Sequence, residues 1–449
     1  MKLRGIKNGA VLQRNRDNVC DITIYCGDEI ITVSSSDPWS KLCCESCGAG
    51  KYQLTGLRVG GPYSLSINNE EFHDIYVGDV WLLTGQSNMQ GIGRMVDITY
   101  NSNASIRALY MPNEWGMANH PMHELGKSHY KVHTVTYGKG LGKFVIKGAG
   151  PGIAFAQKMF EITHVPQGLI PCAHGGKNLQ KDWRPDRLSE GEYSLYGATY
   201  ERYLDTGSNV SGIFWYQGCS DANPDMAEAY TENMIKLVES FRRDFQDNIP
   251  FVQVQIAGCT WKREEHPWMA DCWSSIREQQ RLLNNKIENF DTVHTIAYRM
   301  SDGIHLSGAS HEIIGRDAAE AMFCLKHGKL YGCLPGIRLR DIELYEDEDD
   351  PNMCIAVLNY DNVHGSLTGG ARALGFDISM SPERAENFGV IDTEPDGNRV
   401  VLRLDFTKEK ALKRYLWYNY GHFPVCNIVD GKGRSLPGMG PVRIGDYVK

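Results

Sequence analysis

Little in this chain suits it to a membrane or a nucleic acid. No stretch of its 449 residues approaches the roughly 18 consecutive apolar residues of a bilayer-spanning helix. Basic charge is not in excess either, since 47 Lys and Arg stand against 55 Asp and Glu for a formal net charge of -8. A surface that neutralises phosphates needs the opposite balance, so no nucleic acid and no membrane is expected as a partner. The opening Met1-Lys2-Leu3-Arg4-Gly5 lacks the apolar core of a secretory signal, and the expected location is therefore cytoplasmic. Internal repeats and low-complexity tracts are also missing.

A disulfide framework is absent as well, although cysteine itself is plentiful. Thirteen cysteines cannot all pair within one chain, and they are scattered rather than set at short spacings, so reduced and mostly buried thiols are expected. Cys43-Cys44-Glu45-Ser46-Cys47 holds one Cys-x-x-Cys, but no second pair or His-x-His follows at finger spacing. No metal and no other cofactor is expected.

At 449 residues the chain exceeds what one core usually organises. Residues 1–76 alternate apolar and polar in short stretches such as Asp21-Ile22-Thr23-Ile24-Tyr25 and Tyr63-Ser64-Leu65-Ser66-Ile67, the pattern of a β-sandwich-like domain. From 77 to 331 apolar strands alternate with helical periods. Val80 to Thr84, Gly168 to Ala173, Gly212 to Tyr216, Phe251 to Ile256 and Val293 to Tyr298 read as buried strands. Ile153 to Ile162, Met226 to Phe245, Trp273 to Asn284 and His311 to His327 read as helices. Tyr230, Met234, Leu237, Val238 and Phe241 recur at three- and four-residue steps and form one apolar stripe. The alternation predicts a parallel, three-layer α/β domain with ligands at the carboxyl ends of its strands. Residues 332–449 return to strand-like pattern, with the acidic run Glu346 to Asp350 expected as a solvated turn.

The chain does hold a nucleophile with a base. Gly85-Gln86-Ser87-Asn88-Met89 closes the apolar run Val80-Trp81-Leu82-Leu83 and sets a small hydroxyl at a strand exit. A serine hydroxyl needs an imidazole to take its proton, and the imidazole needs a carboxylate to fix its tautomer. Ser301-Asp302-Gly303-Ile304-His305 supplies both. Taken alone, Ser87 reads equally well as a helix N-cap. A helix starting near Ser87 would also aim backbone N–H groups at developing negative charge. His311 is the alternative base, although its place at the start of a helical pattern favours a solvated or capping role. A metallohydrolase built on Asp302, His305 and His311 lacks the closely spaced ligands and bridging carboxylates it would need.

This order and spacing, with Trp215-Tyr216-Gln217-Gly218-Cys219-Ser220-Asp221 between the two motifs, resembles the SGNH hydrolases and, within them, the sialate O-acetylesterase-like carbohydrate esterases. Similar stretches are Val11-Leu12-Gln13-Arg14-Asn15, Gly61-Pro62-Tyr63, Val77-Gly78-Asp79-Val80-Trp81, His174-Gly175-Gly176, Trp273 to Arg281 and Leu416-Trp417-Tyr418. The resemblance implies a three-layer SGNH-hydrolase (flavodoxin-like) parallel-sheet domain flanked by N- and C-terminal β-sandwich-like domains. It also implies a serine esterase with Ser87, Asp302 and His305 as catalytic residues and the backbone N–H groups of Ser87 and Gly176 in the oxyanion hole.

In much of the superfamily a third donor is an asparagine near the position of Asp221, and an ionised aspartate cannot donate. Gln217 is therefore the candidate third donor, with Asp221 orienting its neighbours. Gln86, Lys177, Trp183 and Arg184 are candidate substrate contacts. Trp183 would be a sugar platform, and the two cations would be partners for a carboxylate such as that of sialic acid.

The implied partner is a small acetylated sugar or oligosaccharide, with O-acetylated sialic acid leading and acetylated xylo- or manno-oligosaccharides as the rival. From another class comes a non-catalytic carbohydrate-binding protein, against which the intact Ser87, Asp302 and His305 weigh.

Overall fold

A computed structural model describes residues 3–27, 30, 32–99, 103–134, 147–260, 266–386 and 388–449. The chain divides into two compact units, Met1–Trp215 with Lys236–Phe251, and Tyr216–Ile235 with Val252–Lys449. Among the described residues no helix is long and apolar enough to cross a membrane.

The first unit is organised around one long strand, Glu70–Gly85, of 16 residues. Its first half pairs antiparallel with Gly60–Ile67. Its second half pairs parallel with Gln167–Pro171, which in turn pairs parallel with Ile106–Leu109. The pattern change read at residue 77 is thus a change of pairing partner within a continuous strand. On the other side of Glu70–Gly85 lies Gly212–Tyr216, every residue of which is buried, as a strand covered on both faces requires.

Val11–Gln13 lies parallel to Tyr76–Gly78. The buried Asp79 ties this start of the chain down, accepting from Arg14 Nη2 at 2.9 Å and from Ser211 Oγ at 2.8 Å. A separate antiparallel sheet joins Val19–Tyr25, Lys51–Arg58 and Cys43–Gly48. Cys20, Ile22 and Ile24 point from its first strand into a core with Leu54, Leu57 and Leu65, the period-two burial predicted for this region. Helix Gly152–Thr163 buries Ile153, Ala154, Phe155, Ala156 and Met159.

In the second unit Phe290–Val293 neighbours the strand that ends at Val254. Helices Met269–Leu282 and Gly308–His327 belong to this unit too. The strand read at Val293 to Tyr298 starts earlier and stops at Val293. The polar Asp291 and Thr292 hid its start, yet both are buried, and Asp291 is satisfied by Gly336 N–H at 2.9 Å and Arg338 Nη2 at 2.8 Å. Its end is set by Thr295, whose hydroxyl donates to Gln255 O at 2.7 Å as the chain turns away.

Beyond residue 336 come two antiparallel sheets. One joins Arg338–Glu346, Cys354–Asp361, Arg399–Leu404 and Val390–Asp396, and the other joins Phe376–Ser379, Tyr415–Tyr418 and Met439–Arg443. Within the acidic run Asp347 is buried against Arg403 Nε at 2.6 Å, so that turn is anchored rather than wholly solvated. The molecule is mixed α/β with a mostly parallel sheet and additional antiparallel sheets.

Candidate active site

The nucleophile candidate sits on a tightly built turn. Strand Glu70–Gly85 ends on Gly85 at φ +129°, a conformation only glycine adopts without strain. Gln86 stays extended and buried, and Ser87–Gln90 then forms a single helical turn. Gln90 N–H donates to Gln86 O at 2.9 Å and Gly91 N–H to Ser87 O at 3.0 Å. Gly91 closes the turn at φ +99°, and a Cβ there would lie 2.6 Å from Gly148 O. Ser87 is the first helical residue and not the cap, and no side-chain capping bond is made at this turn. The N-cap reading therefore falls. Four residues also make too short a helix for a sizeable macrodipole, so any help to an oxyanion comes from individual N–H groups.

The Gly175-Gly176 segment emerges beside this turn. After strand Gln167–Pro171 the chain keeps its register with the central strand, Cys172 N–H donating to Leu83 O at 2.8 Å and His174 N–H to Gly85 O at 3.1 Å. Gly176 is exposed at φ +72°, with nothing within 4 Å of where a Cβ would stand. Backbone conformation, not crowding, is what calls for glycine here. Behind it His174 and His133 meet Nδ1 to Nδ1 at 3.0 Å, both buried. Burial holds His174 down at about 4 and pushes His133 well below the usual imidazole range. Both rings are neutral at pH 7.

Three candidate substrate contacts in this unit are already engaged. Lys177 Nζ pairs with Asp182 Oδ1 at 3.1 Å, and the exposed Arg184 forks onto the carboxylate of Asp186. The sugar platform expected at Trp183 is corrected: the ring is 1% exposed and packs edge-on against Trp215 with centroids 5.1 Å apart. An indole enclosed in this way offers no face to a sugar.

In the second unit Asp302 and His305 meet as their spacing predicts. His305 Nδ1 lies 2.9 Å from Asp302 Oδ1 and 3.0 Å from Oδ2. Oδ1 also accepts the N–H groups of Ile304 at 3.0 Å and His305 at 2.9 Å, so the carboxylate builds the turn that carries the imidazole. Thr260 N–H fastens the tip through Gly303 O at 2.7 Å. Immediately after, Ser307 caps helix Gly308–His327 by accepting Ser310 N–H at 3.1 Å. A carboxylate on Nδ1 fixes the proton there and leaves the Nε2 lone pair outward, the tautomer a general base needs. His311, expected as solvated or capping, is instead fully buried within that helix.

Gln217 and Asp221 form a second pair in this unit, both fully buried. Gln217 Nε2 donates to Asp221 Oδ2, which identifies the amide's NH₂ end, since a carboxylate only accepts. Asp221 thus holds the Gln217 amide by its NH₂ end. Two supports went unread in the sequence. Gln280 Nε2 donates to Gln217 O at 2.9 Å, and Tyr230 OH donates to the same oxygen at 3.3 Å. Nothing in local pattern marks Gln280, because it reaches Gln217 from a separate helix. Among the described residues no group of three or more His, Cys, Asp or Glu could hold a metal ion.

The model of the sialic acid-specific acetylesterase family of carbohydrate esterases matches residues 77–324, more than half of the chain. A carbohydrate acetylesterase from Xanthomonas citri is similar in fold, with a TM-score of 0.69 and 20% identity over 97% of this chain and 98% of that one. The solved structure of NanS gives a TM-score of 0.39 and 17% identity over 55% of this chain and 96% of that one. Among curated proteins, the large subunit of pyrogallol hydroxytransferase from Pelobacter acidigallici is 23% identical over 197 residues, 38% of this chain but only 22% of that protein's length.

Proposed function

The chain belongs to the sialic acid-specific acetylesterase family of carbohydrate esterases, and on that premise we propose that it removes an O-acetyl group from sialic acid through an acetyl-Ser87 intermediate. The single observation behind the mechanism is the Asp302 carboxylate on Nδ1 of His305, which prepares Nε2 to take a proton. In this reading Nε2 takes the Ser87 hydroxyl proton as Oγ bonds to the acetyl carbonyl carbon. The negative charge that develops on the carbonyl oxygen is received by the N–H groups of Ser87 and Gly176, with the Gln217 amide as third donor. Collapse breaks the bond to the sugar oxygen, which leaves with the proton from His305. Water then gives a proton to His305 and attacks the acetyl carbon, acetate departs, and the proton returns to Ser87.

Of the two candidate substrates, O-acetylated sialic acid and a neutral acetylated oligosaccharide, only the sialate carries an anionic carboxylate. Lys177 and Arg184 each hold an aspartate neighbour already, and that observation favours the second reading, a neutral acetylated xylo- or manno-oligosaccharide. Acetate release from O-acetylated sialic acid and from the neutral oligosaccharides, at equal ester concentration, decides between them. Preference for the sialate is expected, and a strong preference for the neutral sugars overturns it while leaving the esterase chemistry standing. Ser87→Ala serves as control, with a loss of ~10⁶ in kcat expected for a removed triad nucleophile. Retained turnover in the folded variant would refute the mechanism.

A further inference from the structure

Gln90 lies three residues after Ser87 on the same helical turn, so the two side chains share a face. Its side chain crosses to the neighbouring segment, where Oε1 accepts the Gly175 N–H at 2.8 Å. The main chain of Gln90 is itself held, its N–H donating to Gln86 O at 2.9 Å. One residue thus joins the turn that carries the nucleophile to the His174–Gly175 peptide, the unit before the one that carries the Gly176 N–H. Gly176 is exposed at φ +72° with open space on its Cβ side. The placement of its N–H depends on where the chain just before it is held. His174 N–H on Gly85 O, at 3.1 Å, is one such tie and Gln90 is the next along the chain.

We infer that Gln90 is a positioning residue, which sets the Gly176 N–H at a fixed distance from Ser87 by pinning the Gly175 peptide. The inference rests on the reading of Gly176 as an oxyanion donor. An oxyanion donor works by being in place before charge develops, since reorganisation during the reaction would consume part of its benefit. A donor on a freely turning glycine would lack that property. Gln90 supplies it from the nucleophile's own turn, so that any shift of the turn carries the donor with it. Its amide has the length to cross the gap and a carbonyl to accept, and neither a shorter nor an apolar side chain combines both.

Two variants test this. Gln90→Met keeps the length without the acceptor, and Gln90→Asn keeps the acceptor one methylene short. For both, kcat on a chromogenic acetyl ester should fall about 10- to 100-fold with KM within about twofold, because the lost interaction acts in the transition state. Phenylboronic acid, whose serine adduct is tetrahedral, should weaken by about the factor by which kcat falls. The melting temperature should stay near that of the parent protein. Because Asn keeps a polar side chain at the position, one folded variant of the two suffices. If kcat stays within about twofold while Ser87→Ala is inactive, the role of Gln90 is overturned and the esterase reading survives. A fall in kcat that comes with an equal rise in KM, or only with a large drop in melting temperature, marks a general structural role and also overturns it. If Ser87→Ala remains active, the underlying reading itself has failed.

Discussion

Asp302 carries two tasks on one carboxylate. Its Oδ1 accepts two backbone N–H groups of its own turn while both oxygens face His305 Nδ1. Asp302→Asn separates the tasks, because the amide keeps one oxygen for the turn but can set its NH₂ against Nδ1. That contact moves the imidazole proton to Nε2, the nitrogen that must be free to accept. We expect a folded protein whose kcat falls by roughly 10⁴, the scale of the same substitution in a serine-protease triad. Steady-state kinetics together with circular dichroism check it, and a loss below tenfold in the folded variant would remove His305 from the role of base.

At the scale of elements, the exit of strand Gly212–Tyr216 shows how a loop can be made rigid. Gly218 takes φ +138°, and a Cβ there would stand 2.8 Å from Gln280 Nε2 and 2.9 Å from Ile256 Cγ2. Asp221 N–H returns to Gly218 O at 3.1 Å and closes a turn whose interior is the Gln217–Asp221 pair. Asp221→Leu removes the acceptor and leaves a buried amide without that partner, at a cost of about 1–3 kcal/mol. We expect that loss in chemical denaturation, with kcat reduced about 10²-fold, the scale of a lost oxyanion donor. Asp221→Asn keeps a carbonyl for the Gln217 amide and should stay within about tenfold of the parent rate. Equal rates for the two variants would contradict an orienting role for Asp221.

For the whole molecule the relevant count is of imidazoles taken out of water. His123, His133, His174 and His294 are all buried. Burial lowers His174 to about 4, His123 and His294 to about 3, and His133 well below its usual range. An unfolded imidazole protonates near pH 6.5, so from there downward the unfolded chain binds protons that the native protein refuses. Their contribution to stability is complete above about pH 6.5 and is lost progressively as the pH falls towards 4 and 3. Each neutral imidazole costs about 1.4 kcal/mol per pH unit in that window. Asp317 opposes them, since burial raises it to about 7 and the native protein then takes up a proton before the unfolded chain does. His120, lowered to about 4 by its burial, adds to the loss, so among these groups the imidazoles outweigh the one carboxyl. The midpoint of urea denaturation should therefore fall steadily between pH 6.5 and pH 5, and a flat profile would contradict the prediction.

What the sequence determined by itself is what local chemistry encodes. Ser87 after an apolar strand and Asp302 three residues before His305 are legible because each depends on neighbours in the chain. The same holds for the stripe Tyr230, Met234, Leu237, Val238 and Phe241, every member of which is buried. The Asp302–His305 bond could be foreseen because groups three residues apart can reach one another across a single turn. Tertiary structure alone decided the rest, because burial and partner choice are set by segments far apart in sequence. Trp183 in a polar loop read as a sugar platform, until Trp215 covered it. Lys177 and Arg184 are the exception, since the aspartates that hold them, Asp182 and Asp186, are near neighbours in the chain. Asp291 and Thr292 hid a strand because a polar residue passes for buried only once its hydrogen-bond partners are known. Gln90 is the clearest case, an ordinary glutamine on a short turn, significant only because Gly175, 85 residues later in the chain, returns to meet it.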